Sequence, residues 1–259
     1  MANWQGCLDD IAVFSEESLS LSFGELPTQY QQLLEKPTVT PLFHQGLIAV
    51  DGVDASRFLQ GQLTCDVFKL EVGDSQPGAC CNPKGRMLAD FYLYRVSEHR
   101  YVLQLHRSLV AQTLEHLKKY AVFSKVSIEE GDENVSDYID DEAWKSSIID
   151  NLDPEIYSEN SEKYTPQELG YDKNGRIDFK KGCFTGQEII ARMHYRSPGI
   201  FSIARVEIDD TNKSFNEVFT VNDKKVGNIL EYANGKYLVS GKTKNFDSLK
   251  DNTENTDIK

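Results

Sequence analysis

The sequence has no run of about 20 apolar residues, the length a helix needs to cross a bilayer, so no membrane span is expected. Its first residues, Met1-Ala2-Asn3-Trp4-Gln5, hold neither a basic residue nor a long apolar run. No signal peptide is therefore expected there, and a cytoplasmic location follows by default. Cysteine is scarce and odd in number: Cys7, Cys65, Cys80, Cys81 and Cys183. That argues against a disulfide framework. No CxxC pair and no zinc-like His/Cys spacing occurs, so no structural metal is expected. Positive charge is also short. With 28 Lys and Arg against 41 Asp and Glu the net charge is -13, a surface that repels a phosphate backbone, so nucleic acid is not expected as a partner.

What is present is an ordinary globular composition over 259 residues, 39% hydrophobic and 27% charged, enough for one large domain or two smaller ones. The charge is uneven. Residues 131–170 hold 12 acidic and 2 basic side chains, whereas residues 173–196 hold 6 basic and 2 acidic. The second stretch is either a solvated face or a local patch for a small anionic ligand.

Spacing predicts a short strand at 9–14, a helix over 22–34 ended by Pro37 and Pro41, a strand over 42–50, and a helix over 54–61 with Asp54 as N-cap. A turn over 80–86, a hairpin over 87–96 and 100–105, a helix over 108–119 and a strand over 122–128 follow. This order implies an α+β sheet with helices on one face. An acidic loop over 131–141, a short element containing Trp144 and a helix over 184–193 come next, then strands near 201–208, 219–221, 225–230 and 237–239. The last group reads as a small antiparallel β module at 201–241, after a main domain at 1–200 and before a polar tail at 242–259 that is expected to be disordered.

The residues around Cys183 carry the most chemistry. The sequence places Cys183 in the first turn of a helix, beside Lys180 and Lys181, where partial and full positive charges favour a thiolate. Gln187 and Glu188, one turn on, offer an amide and a carboxylate to the edge of a heterocycle. Arg192 and Arg196 share a helix face with Glu188. From the residues alone two readings stand: a ligand-facing thiol, or a buried cysteine with a surface Arg–Glu pair.

The segment Lys181-Gly182-Cys183-Phe184-Thr185-Gly186-Gln187-Glu188, with Arg192 four residues on, resembles the signature of the YgfZ family. Phe58-Leu59-Gln60-Gly61-Gln62-Leu63-Thr64-Cys65-Asp66-Val67 is similar to another of its motifs. So are Cys81-Asn82-Pro83-Lys84-Gly85-Arg86-Met87, the run from Lys118 to Val126, and Tyr164-Thr165-Pro166-Gln167. The resemblance spans about 42–130 and 143–200. It implies a T-protein-like folate-binding sheet-and-helix domain, tetrahydrofolate or a derivative as cofactor, and service to iron–sulfur client proteins, including those that support tRNA modification. Cys183 would be the working thiol. Trp144 matches one of two family tryptophans implicated in folate binding; the other would fall near Gln45, so this sequence lacks it. Lys84, Arg86, Lys181, Gln187, Glu188 and Arg192 are the remaining ligand-facing candidates.

Two departures matter. The stretch from Val126 to Trp144 is several dozen residues shorter than in family members, which implies a trimmed second subdomain. The T-protein, an aminomethyltransferase, relies on an acidic doublet that is reduced here to Asp90, the candidate acid/base if the chain were a one-carbon transferase. Three functions are carried forward: a folate-binding accessory factor for iron–sulfur proteins, a folate-dependent transferase, and a scaffold that has lost the ligand. The sequence leaves the oligomeric state open.

Overall fold

The computed structural model describes residues 13–15, 20–22, 44–131, 142–207, 214–221, 224–250 and 256–258; at 13–15, 20–22, 142–143, 247–250 and 256–258 it describes the backbone alone. The helix expected over 22–34 and most of the acidic loop over 131–141 lie outside these residues. Two short strands, β1 (Val13–Ser15) and β2 (Ser20–Ser22), pair with each other.

The first large sheet has five antiparallel strands in the order β4 (Ser75–Cys81), β5 (Met87–Ser97), β6 (Arg100–His106), β3 (Gln45–Asp51) and β7 (Ser127–Glu130). Alternation divides its side chains. Ile48, Val50, Leu93, Leu103 and Leu105 point into the core, where helix α1 (Ala55–Gln62) adds Phe58 and Leu59 and helix α2 (Val110–Tyr120) adds Val110 and Leu117. The other face is uncovered at one end, where Tyr92 and Tyr94 are exposed. Its opposite end carries Gln45 and Asp90, both buried.

Helix α3 (Glu142–Asn151) and helix α4 (Gln187–Arg196) lead to the second sheet. Its antiparallel order is β12 (Thr256–Ile258), β8 (Phe201–Glu207), β11 (Lys236–Lys242), β10 (Lys224–Ala233) and β9 (Val218–Val221). Ile203, Leu230 and Leu238 join the main core, while Val206, Phe219, Tyr237, Val239 and Phe246 form a second one. The small C-terminal antiparallel module is thus present, and one side of it is built into the main body.

Four local expectations change. Cys80 and Cys81 belong to β4 rather than to the turn, which begins at Asn82. Pro77 and Gly78 masked that strand, but Pro77 sits on the sheet's edge strand, where a missing N–H costs little. Asp54 does not cap α1 with its side chain; its Oδ2 accepts from the Lys125 N–H at 2.8 Å. The strand expected from Val122 starts at Ser127, and Phe123 is 99% exposed in the preceding turn. The tail expected to be disordered carries helix α5 (Thr243–Lys250), with Phe246 buried, and β12 paired to β8.

The site-bearing segments are tied together by one buried cation. Lys181 Nζ donates to the carbonyl oxygens of Gln60 (2.7 Å), Leu63 (2.6 Å) and Cys65 (2.9 Å). Those carbonyls lie at and just beyond the C-terminal end of α1, where backbone acceptors lack helical partners and attract positive charge. Lys181, expected to face a ligand, is therefore spent on the fold. Burial pulls its pKa down to about 8, opposed by the nearby Cys65, Asp66 and Asp178. Replacing Lys181 with Met leaves these carbonyls without a donor. That should cost on the order of 2–4 kcal/mol, read as a lower denaturant midpoint in chemical unfolding.

Candidate functional site

The loop that carries Cys183 is held on both sides. Upstream, Asp178 Oδ1 accepts from the N–H groups of Lys180 (2.7 Å) and Lys181 (3.2 Å), and Lys181 enters its three-carbonyl socket. Downstream, Phe184 is buried, and the Thr185 N–H donates to the Gly61 carbonyl at 3.1 Å. Gly182 and Cys183 are left exposed between the two anchors. Gly186 then turns the chain into α4 at φ +84, and a Cβ there would sit 2.6 Å from the Asn82 carbonyl oxygen. No other residue fits that turn without displacing backbone.

The helix begins at Gln187, later than the sequence implied, so Cys183 lies in the loop before its first turn. Cys183 is also no buried structural cysteine. Cys65, Cys80 and Cys81 are the buried ones, and burial pushes the first two up to about 12 and Cys81 well above the ordinary thiol range.

The turn over Asn82–Arg86 packs against this loop. Asn82 Oδ1 accepts from the N–H groups of Lys84 (2.9 Å) and Arg86 (3.0 Å), and Gly85 touches Ile189 of α4. Lys84 is exposed there. Arg86 is engaged by Glu168 (3.0 Å) and by the Lys163 carbonyl (2.8 Å). Glu188 and Arg192 are exposed on α4, and Gln187 is half-buried at its start. Cys183, Lys84, Arg86, Gln187, Glu188 and Arg192 therefore gather around one loop, turn and helix.

Asp90 and Trp144 form a second centre. Gln45 pairs with His106 and Tyr92 with Gln104, so the register sets Asp90, His106 and Gln45 in one row across the sheet. Glu155 meets that row. Its Oε2 accepts from Trp144 Nε1 at 3.1 Å and its Oε1 from Gln45 Nε2 at 3.3 Å. Gln45 and Trp144 thus hold the same carboxylate. The Trp144 ring lies 4.9 Å from that of His44.

Asp90, the candidate acid/base of the transferase reading, is buried inside β5, with Oδ1 accepting from the Ile156 N–H (2.9 Å) and Oδ2 from the Tyr171 hydroxyl (2.8 Å). Arg176 lies beside it and pairs with Asp153 at 2.6 Å. Burial raises both Asp90 and Glu155. Asp90 has the cation and two donors, and Glu155, pushed up to about 8 by burial and by the nearby Asp90 charge, is the group that holds a proton at neutral pH. Nothing in the local sequence marked Glu155: it is one of twelve acidic residues in an acidic stretch, and only the fold brings it beneath Trp144.

Residues 27–138 match the family described as the GCVT N-terminal domain. The tRNA-modifying protein YgfZ of Photobacterium profundum is 31% identical over 242 residues, covering 70% of this chain and 73% of that protein. A Haemophilus influenzae protein described only as uncharacterized is 29% identical over 228 residues, covering 73% of this chain and 81% of its own length. Since 73% of 259 residues is about 189, roughly 39 of those aligned positions have no counterpart here. Among solved structures, the glycine cleavage system aminomethyltransferase T from Bartonella henselae superposes with a TM-score of 0.59 at 14% identity, covering 78% of this chain and 77% of that one, which establishes a shared fold.

A carboxyl group whose pKa rises on folding stabilises the native state below its unfolded pKa, and that contribution is lost as pH rises toward its native value. For Glu155 the window runs from 4.5 to about 8. Thermal melts of Glu155→Gln against the parent should show their difference moving in the variant's favour across that window and levelling above it. Trp144 emission should titrate with a midpoint near 8 in the parent alone.

Proposed function

The chain belongs to the YgfZ family, and from that premise we propose that it binds a reduced folate beside Trp144 and supports iron–sulfur proteins through the thiol of Cys183. The observation that carries the reading is the display of Cys183: an exposed thiol at the tip of a loop clamped by Lys181 and Thr185, in a chain whose other described cysteines are buried. Structural cysteines are kept inside; a thiol held out on a fixed loop is suited to meet a partner's sulfur, disulfide or cluster.

Folate is supported by the T-protein-like fold and by the Trp144 centre. A half-buried indole whose N–H is anchored on Glu155 is fixed in orientation, and its face can lie against a pterin or aminobenzoyl ring. Glu155, with both oxygens engaged, fixes Trp144 and Gln45, and the Gln45 amide adds a polar group suited to the edge of a pterin. The basic residues nearer Cys183, Lys84 and Arg192, are exposed and suited to the ligand's glutamate carboxylates. The transferase alternative asks Asp90 to handle protons, and both of its oxygens are already engaged. The name of the YgfZ relatives links them to tRNA modification, which suits a factor that maintains iron–sulfur enzymes acting on tRNA.

Two measurements test the reading. In a Trp4→Phe background, a tetrahydrofolate derivative should quench Trp144 emission saturably, and Trp144→Ala should weaken binding by about tenfold, the loss of one good aromatic contact; no binding at millimolar ligand would contradict the folate claim. Cys183→Ala should leave that affinity unchanged and fail to restore iron–sulfur enzyme activity in a deletion strain. Full restoration would refute the role of the thiol.

A further inference from the structure

A cleft of about 400 Å³ opens between the second sheet and the 3₁₀ turn Pro166–Leu169, within the size range of small-ligand sites. Its rim carries three exposed ammonium groups, on Lys225, Lys242 and Lys244. Among the described residues none of the three has a carboxylate within salt-bridge distance, whereas Lys69, Arg86, Arg176, Arg205 and Lys236 all do. The one carboxylate in the lining, Glu168, is already used: Oε2 accepts from Arg86 at 3.0 Å and from the Thr165 N–H at 2.7 Å. Helix α5 starts at Thr243, and Lys244 and Asn245 of its first turn line the cleft, so the partial positive charge of that turn lies beside it.

The cleft therefore concentrates uncompensated positive charge in a chain whose net charge is -13. Another cleft, of about 480 Å³, shows the contrast: its lining sets Glu115 and Glu162 against Lys119. The cationic cleft also has an aromatic element. Phe201 is half-buried in its lining, and the Asn228 side chain hydrogen-bonds the Tyr164 hydroxyl close by. Cations on a rim and a ring at the base form the combination that holds a phosphate and stacks a base.

We propose that this cleft binds a nucleotide unit, with its phosphate at Lys225, Lys242 and Lys244 and its base against Phe201. The unit comes either from a free nucleotide or from a single RNA strand, and the chemistry of the contact is shared. The net charge of the chain, which argues against nucleic acid on average, does not describe this place. The cleft is separate from Trp144 and Glu155, and Arg86, held on Glu168, joins it to the Cys183 turn.

Fluorescence anisotropy with a labelled uridine oligonucleotide, with ATP and AMP as competitors, tests the proposal on the full chain. The parent should bind at low salt. With one phosphate neutralised, log affinity should fall against log salt with a slope of about -0.7. The combined variant Lys225→Glu/Lys242→Glu/Lys244→Glu should lose affinity by at least about tenfold with an unchanged melting temperature. Phe201→Ala should weaken binding with little change in the salt slope. A control variant, Lys118→Glu/Lys119→Glu/Lys125→Glu, should bind like the parent. Displacement by ATP or AMP assigns the site to free nucleotides; oligonucleotide binding without such displacement assigns it to RNA. Absence of binding by both, equal binding of polyglutamate, or an equal loss in the control variant would overturn the proposal.

Discussion

The ammonium group of Lys181 on three carbonyl oxygens is the contact on which the arrangement around Cys183 depends. It closes the end of α1, fixes the segment after Asp178, and leaves the next two residues with nowhere to go but outward. A buried cation costs several kcal/mol of desolvation, and three short bonds to otherwise unpaired acceptors offset it. The motif positions around it have separate jobs: Thr185 ties the loop to Gly61, Gly186 makes a turn no side chain fits, and Gln187 begins the helix. Lys181 and Gly186 thus serve geometry, and Cys183 is the member that faces solvent.

The second centre is built on a different principle. Where the Cys183 loop is clamped by the Lys181 side chain and a backbone contact, the Trp144 centre is organised by the buried Asp90 and the half-buried Glu155 near one arginine. Asp90 has the donors and Arg176 beside it, and Glu155, with less support, keeps its proton to about pH 8. In place of a second aromatic wall, Gln45 supplies an amide to Glu155. The site so formed is more polar than a pair of tryptophans would make it.

Much of the fold was legible because period and punctuation agree with burial. The β5–β6 hairpin, α1, α2 and the strands of the second sheet follow from alternation, helical spacing and turn residues. β4 was not, because Pro77 and Gly78 read as a break until the partner strand is known. The start of α4 was misjudged because Phe184 looks like a helix residue, yet it anchors the loop and Gly186 sets the true boundary. At the site, the motif around Cys183 was visible as a string, but the work of Lys181 was not, since its partners lie over a hundred positions upstream. Glu155 and Arg176 were invisible for the same reason: long-range register, and no local pattern, brings them to Asp90 and Trp144.

On the function proposed above, Lys181 acts by holding out the thiol of Cys183, without touching the folate. The most direct measurement pairs folate titration with complementation of a deletion strain by Lys181→Met, at a temperature where the variant stays folded. Folate should still quench Trp144 with near-parental affinity while iron–sulfur enzyme activity is lost, as expected for Cys183→Ala. Full restoration of that activity by Lys181→Met, or loss of folate binding with activity retained, would contradict it.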